Sequence, residues 1–189
     1  MPKSTLRKAL LVRRLALSQP EQAFAADRIQ AVFLAMPEYL AAGSVAMYCA
    51  VKNEVSTERV MSHALLTGKA LFLPAVEGDE MLFRRVVDLK DLVAGKFGIK
   101  QPAAGCTAVD PDDLDLIVVP GVGFDLSGQR IGYGKGYYDR ILHRLEGKGV
   151  LTAFCYEFQI VDSLAGEQHD VNMDRIITEQ RLINTALQK

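Results

Sequence analysis

The chain has 189 residues, a formal net charge of −1, 24% charged residues and 49% hydrophobic residues, a length and composition that suit one domain with a sizeable core and disfavour disorder. No whole-molecule field favours nucleic acid or an acidic membrane surface, so any anion site has to be local. Apolar runs fall short of a membrane span, no secretory-signal layout opens the chain, and Cys49, Cys106 and Cys155 are odd in number and far apart, which together predict a soluble cytosolic protein with reduced thiols.

Residues 3 to 17 carry Lys3, Arg7, Lys8, Arg13 and Arg14 with no acid before Glu21, the composition of either a transit peptide or an amphipathic helix. Leu6, Ala9, Leu10 and Leu17 give the segment an apolar side, and no linker separates it from Ser18-Gln19-Pro20-Glu21. That tetrapeptide is a capping-box pattern, so the spacing predicts a mature first helix and a second one from Ser18 to about Met36, ended by Pro37. Lys3 and Arg7 lie one turn apart and share a face. Ser44 to Val51 is a continuous apolar run that reads as a strand, followed by the polar break Lys52-Asn53-Glu54 and a helix capped near Ser56 or Thr57. Ala70 to Pro74 and Met81 to Val87 read as further strands, and Gly95 to Pro102 as a turn-rich loop.

Leu116 to Val119 is a strand of four aliphatic residues between Asp115 and the breaker pair Pro120-Gly121, as expected where both sheet faces are covered. Gly132, Gly134 and Gly136 then alternate, and Tyr138, Ile141, Leu142 and Leu145 follow helical spacing. Val150 to Tyr156 supplies another strand, and Asp170 and Asp174 bracket a short turn before the strand-like Arg175 to Thr178. Strands alternating with helices predict an α/β domain spanning residues 1–189, three-layered, with a largely parallel sheet flanked by helices. In such sheets ligands bind beyond the carboxyl ends of strands, which brings Glu54 and the glycine loop to one crevice.

Loop amides unobstructed by Cβ atoms, Lys135, Asp139 four residues on and Arg130 upstream form a set suited to phosphate. The competing reading is a mobile loop with an exposed ion pair contributing about 0.3 to 0.5 kcal/mol. A Walker A loop is excluded, because Gly136 follows Lys135 where a hydroxyl residue is required. On its own, Glu54 reads as a solvated loop acid, Tyr138 as either core or site, and Asp170 and Asp174 as turn acids. No zinc spacing involves the three histidines, and neither a Gly-x-Ser-x-Gly elbow nor a Cys beside a His occurs.

Pro120-Gly121, Phe124-Asp125, Gly128, Arg130, Gly132 and the run Gly134 to Arg140 closely resemble the signature of the 5-formyltetrahydrofolate cyclo-ligase family. The likeness extends over nearly the whole chain and implies a fold of the ribose-5-phosphate isomerase and CoA-transferase type. It implies the reaction of ATP with 5-formyltetrahydrofolate to give 5,10-methenyltetrahydrofolate, ADP and phosphate through a phosphorylated formyl group. It assigns Lys3, Arg7, Arg130, Gly132, Gly134, Lys135, Gly136 and Tyr137 to ATP, and Cys49, Glu54 and Tyr138 to the folate. Lys135, Arg130 and Tyr138 become the catalytic candidates, and Asp139 and Asp174 the ligands of Mg²⁺. Where the family pattern has a Glu, this chain has Gln101, which removes a charge from the Gly95 to Pro102 segment. Small molecules are the implied partners, with neither nucleic acid nor membrane and with a monomer or weak homo-oligomer as the expected state. A sugar-phosphate isomerase, a CoA-transferase-like enzyme and a silent folate or nucleotide binder are the alternatives.

Overall fold

The computed structural model describes residues 2–143, 149–164 and 171–185. An eight-stranded sheet forms from β1 (Ser44–Ala46), β2 (Ala70–Glu77), β3 (Glu80–Val86), β4 (Ala108–Val109), β5 (Leu116–Val119), β6 (Val150–Phe154), β7 (Arg175–Ile177) and β8 (Leu182–Asn184). Its order is β8-β7-β6-β5-β1-β2-β3-β4. The five strands from β7 to β2 run parallel, with Val45 opposite Leu116 and Ser44 opposite Ala70. Antiparallel neighbours, β8 on one side and β3 with β4 on the other, close both edges.

The aliphatic run of β5 divides between the two faces with period two. Leu116 and Val118 pack with Val45, Leu71, Leu73, Phe154 and Ile177 beneath the helices α2 (Gln19–Leu34), α3 (Pro37–Ala41) and α4 (Glu58–Leu66). Ile117 and Val119 face the other way, against Leu151, Ala153, Ile176, Phe124 and the first described turns of α5 (Tyr137–Leu142). The result is the expected sheet covered on both sides. The third cluster is smaller: Leu10 of α1 (Lys3–Leu15) packs with Val122, Ile131 and Leu164. It seats α1 on a three-stranded sheet of Ile160–Val161, Gly123–Asp125 and Arg130–Ile131.

Several boundaries differ from the sequence expectation for local reasons. The first strand stops at Ala46 rather than Val51, because past Met47 the chain turns inward: the Tyr48 hydroxyl donates to the Val55 carbonyl at 2.7 Å and the Thr57 hydroxyl to the Tyr48 carbonyl at 2.7 Å. Pro37 does not end a helix but opens α3 at its first position, where its missing N–H costs nothing. The Ser18-Glu21 box is present, with the Ser18 N–H donating to the Glu21 carboxylate at 2.8 Å. Leu145, expected on the stripe of α5, lies outside the described residues. No described helix is long and apolar enough to cross a membrane.

Leu116→Ala empties a fully buried position in the middle of the sheet and is expected to cost about 2 to 5 kcal/mol in urea unfolding. Leu66→Ala, at a position 86% exposed, is expected to stay within about 0.5 kcal/mol of wild type. Equal losses at the two positions would contradict the layering.

Candidate active site

The chain leaves β1 toward β2 on one side and leaves β5 toward β6 on the other, so the strand order reverses between β1 and β5. Crevices open at the carboxyl ends of such a pair. Two connections border this one: residues 47–57 after β1 and residues 120–136 after β5. In the first, Lys52 (φ 49°) and Asn53 (φ 58°) both adopt left-handed backbone without being glycine, a conformation that persists only where neighbours hold it. The neighbour is the end of α1. Arg14 Nε donates to the Lys52 carbonyl at 3.0 Å, and Asn53 Nδ2 donates to the carbonyls of Arg14 and Leu15, each at 3.3 Å.

Arg14 is 1% exposed and is the largest fully buried side chain among the described residues. Its Nη1 donates to the Gly121 carbonyl at 3.0 Å, so one guanidinium ties α1 to the connections of both β1 and β5. Its Nη2 donates to the Tyr133 hydroxyl, which in turn donates to Glu54 Oε1 at 2.6 Å. Glu54 Oε2 accepts from the Val51 N–H at 2.9 Å. The direct separation of Arg14 from Glu54 is 4.0 Å, too long for a hydrogen bond. Burial pushes the Glu54 carboxyl above its ordinary range despite Tyr133, Val51, Arg14 and Lys52 pulling it down. Desolvation therefore outweighs the donors present, and the carboxylate has capacity for more.

The glycine loop turns on two left-handed residues, Gly134 (φ 86°) and Gly136 (φ 68°), conformations that glycine adopts without steric cost. Arg7 Nε donates to the Gly132 carbonyl at 2.8 Å, bringing the first helix onto the loop. Lys3 begins α1 four residues before Arg7, and Lys135 stands exposed between the two turning glycines. Arg130 donates to the Pro120 carbonyl at 3.3 Å, pairs with Asp139 and has its guanidinium 5.9 Å from the Tyr138 ring centre. Tyr137 lies between two cations that sequence reasoning passed over: Lys96 donates to its hydroxyl at 3.2 Å, and the Arg140 guanidinium is 5.1 Å from its ring centre.

Tyr138 takes the core position that its spacing allowed. Its ring packs against the sheet core, while its hydroxyl is shut off from solvent with no hydrogen-bond partner among the described residues. An unsatisfied buried hydroxyl costs about 1 to 3 kcal/mol, which a ligand atom placed there would recover. Burial, with Glu54 second, drives its phenol far above the ordinary range, so it is a neutral donor. Cys49 is half-buried, its thiol pushed up to about 11 chiefly by burial, which suits a wall and not a nucleophile.

Asp139 and Asp174 do not come together. Asp174 precedes β7, and its Oδ2 accepts from the Leu151 N–H at 2.8 Å near the amino ends of the parallel strands. Asp139, paired with Arg130, follows the glycine loop at the carboxyl end. With Asp174 at the amino ends of the strands and Asp139 at the carboxyl end, the two carboxylates expected to share Mg²⁺ stand apart, and no group of three His, Cys, Asp or Glu side chains suited to a metal ion occurs among the described residues. Asp170 lies outside the described residues. One signature residue serves the fold: Asp125 Oδ1 accepts from the Ser127 and Gln129 N–H groups at 3.0 Å, and its Oδ2 from the Leu164 N–H at 2.8 Å. Gln101 uses its amide oxygen on the Val76 N–H at 3.2 Å.

Tyr133 and Arg14, like Lys96 and Arg140, were missed by sequence reasoning, although Arg14 falls seven after Arg7, with Leu10 between them, on one helical stripe. A raised carboxyl means that folded protein holds the Glu54 proton more tightly than unfolded chain does. Its contribution is thus most favourable below the ordinary value of 4.5 and declines as pH rises through the higher folded value. Relative to Glu54→Gln, the wild type is expected to lose stability between pH 4.5 and 7 in urea titrations; a gain over that window would contradict the burial argument.

The family model for the 5-formyltetrahydrofolate cyclo-ligase family matches residues 1–179. A 5-formyltetrahydrofolate cyclo-ligase of Mus musculus is 29% identical, with 94% of this chain and 93% of that protein covered. The Escherichia coli K12 protein of the same name is 26% identical over 90% of this chain and 96% of its own. Among solved structures, the 5,10-methenyltetrahydrofolate synthetase of Aquifex aeolicus superposes with a TM-score of 0.88 at 38% identity, covering 98% of this chain and 93% of that one. The synthetase of Mycoplasma pneumoniae gives 0.78 at 28% identity, covering 95% and 99%. With the family signature bordering a crevice at the sheet's switch point, the chain belongs to the 5-formyltetrahydrofolate cyclo-ligase family.

Proposed function

We propose that the protein converts 5-formyltetrahydrofolate to 5,10-methenyltetrahydrofolate at the expense of ATP. The observation that carries this reading is the hydrogen bond from Tyr133, a residue of the glycine loop, to the buried Glu54. The loop suited to phosphate and the carboxylate suited to a pterin's N–H donors thereby meet in one crevice.

A formamide carbon is a poor electrophile and its oxygen a poor leaving group. In the proposed sequence the formyl oxygen attacks the γ-phosphorus, ADP departs, and the folate's N10 then adds to the resulting iminium phosphate carbon. Inorganic phosphate leaves as the ring is completed. Such a transfer asks the protein for alignment and charge neutralisation more than for covalent chemistry. Glu54 would fix the pterin, and the Tyr138 hydroxyl would donate to a folate polar atom or the transferring oxygen. Lys135, Arg130, Arg7 and Lys3 would face the phosphates, with the amides from Gly132 to Tyr137 as the cradle. Magnesium would enter with the nucleotide and offset charge on its phosphates.

Mixing purified protein, Mg-ATP and 5-formyltetrahydrofolate is expected to raise absorbance at the methenyl folate band. No rise at protein concentrations comparable with substrate would remove the proposal. Lys135→Ala is expected to slow turnover by about a hundredfold or more with the fold intact by circular dichroism; wild-type turnover would give the loop another purpose. Glu54→Gln is expected to weaken folate binding while leaving ATP affinity nearly unchanged in calorimetry, and the reverse pattern would displace Glu54 from the pterin.

A further inference from the structure

Glu54 lies 79 residues from Tyr133 in sequence, yet the hydroxyl that holds its carboxylate belongs to the glycine loop. Tyr133 stands between Gly132 and Gly134, so its backbone is set by the same turn that would close on a phosphate. Arg14, in contrast, is fixed from both sides, on the Lys52 and Gly121 carbonyls. It donates to the Tyr133 hydroxyl, which leaves that hydroxyl's own proton directed at Glu54 Oε1. Remove the hydroxyl and Arg14 is still 4.0 Å from that oxygen, beyond hydrogen-bond reach. The other carboxylate oxygen is held by the Val51 N–H at 2.9 Å, in the connection that carries the left-handed Lys52 and Asn53. The setting of Glu54 thus depends on where the loop stands.

On the far side of Tyr133, the loop is gripped at the Gly132 carbonyl by Arg7, one of the cations assigned to the nucleotide. A phosphate that engages Arg7 and the amides beyond Gly134 therefore acts on both flanks of Tyr133. We propose that Tyr133 is a positioning residue that couples the two substrate sites: a nucleotide closing the glycine loop fixes the Tyr133 hydroxyl on Glu54 and so tightens binding of the folate. The coupling rests on the function proposed above and adds a direction to it, with nucleotide first favouring folate second. By linkage the folate must tighten nucleotide binding by the same factor.

Calorimetric Kd values for 5-formyltetrahydrofolate, measured with and without a non-hydrolysable ATP analogue, test this directly. For the wild type the analogue is expected to tighten folate binding by about tenfold. In Tyr133→Phe, which keeps the ring that faces Arg14 and Lys52 at 5.6 Å and 5.5 Å, the ratio is expected to fall to about one, with nucleotide affinity alone changed less than about twofold. A merely structural role would weaken both ligands and leave the ratio untouched. The same ratio in wild type and Tyr133→Phe would overturn the coupling, as would a wild-type ratio of one with both ligands bound. Failure of the wild type to bind the folate at all would instead strike the proposed function, and the coupling with it. Hydrogen exchange on the wild type gives a second reading that needs no variant. The analogue alone is expected to slow exchange at the Val51 and Glu54 amides, which now bond to the Glu54 carboxylate and the Val51 carbonyl; unchanged exchange overturns the proposal.

Discussion

A guanidinium sealed from water sits at the junction of three segments, and the crevice is shaped around it. Arg14 can be buried because its donors find the Lys52 carbonyl, the Gly121 carbonyl and the Tyr133 hydroxyl, and a buried cation left unpaired would cost far more than any of those bonds returns. Such ion networks contribute less to net stability than to selecting one arrangement. Here the arrangement selected is a strained turn at Lys52-Asn53, a glycine loop held against α1, and a carboxylate between them. On Glu54 the contest between desolvation and its donors goes to desolvation. The site thus holds a buried acid whose desolvation outweighs its donors and, at Tyr138, a buried hydroxyl with no partner among the described residues. Both deficits are of the kind that a polar heterocycle can meet.

The sheet explains why these groups meet although they come from distant parts of the sequence. Because β1 and β5 are parallel neighbours whose chains depart in opposite directions, their following connections diverge and leave an opening. Helix α1 crosses that opening, using Leu10 to pack on Val122 and Ile131 and the flanking Arg7 and Arg14 to reach the loop and the network. The same helix that carried an ambiguous run of basic residues is thus the element that joins the two connections.

Much of this was legible in the sequence. The burial of Leu116 to Val119 on both faces of the sheet, the capping box at Ser18 and the helix after the glycine loop follow from local pattern. What pattern alone misread was decided by tertiary contacts. Val51 is as apolar as its neighbours, but the Tyr48 and Thr57 hydroxyls draw the chain off the sheet before it. Arg14 passed as one more basic residue of the first segment because nothing nearby in sequence announces its partners, which lie 38, 107 and 119 residues away. Asp174 uses its carboxylate on the Leu151 amide at the amino ends of the parallel strands, away from Asp139 at the carboxyl end, a position that only strand register reveals.

In the proposed function a phosphate cradle and a pterin acid are joined through one tyrosine hydroxyl. The most direct test is a crystal structure with a non-hydrolysable ATP analogue and 5-formyltetrahydrofolate bound together. The account predicts the terminal phosphate on the amides between Gly132 and Tyr137, Glu54 on the pterin, and the formyl oxygen facing the γ-phosphorus. A nucleotide seated away from that loop, or a folate whose pterin does not touch Glu54, would contradict it.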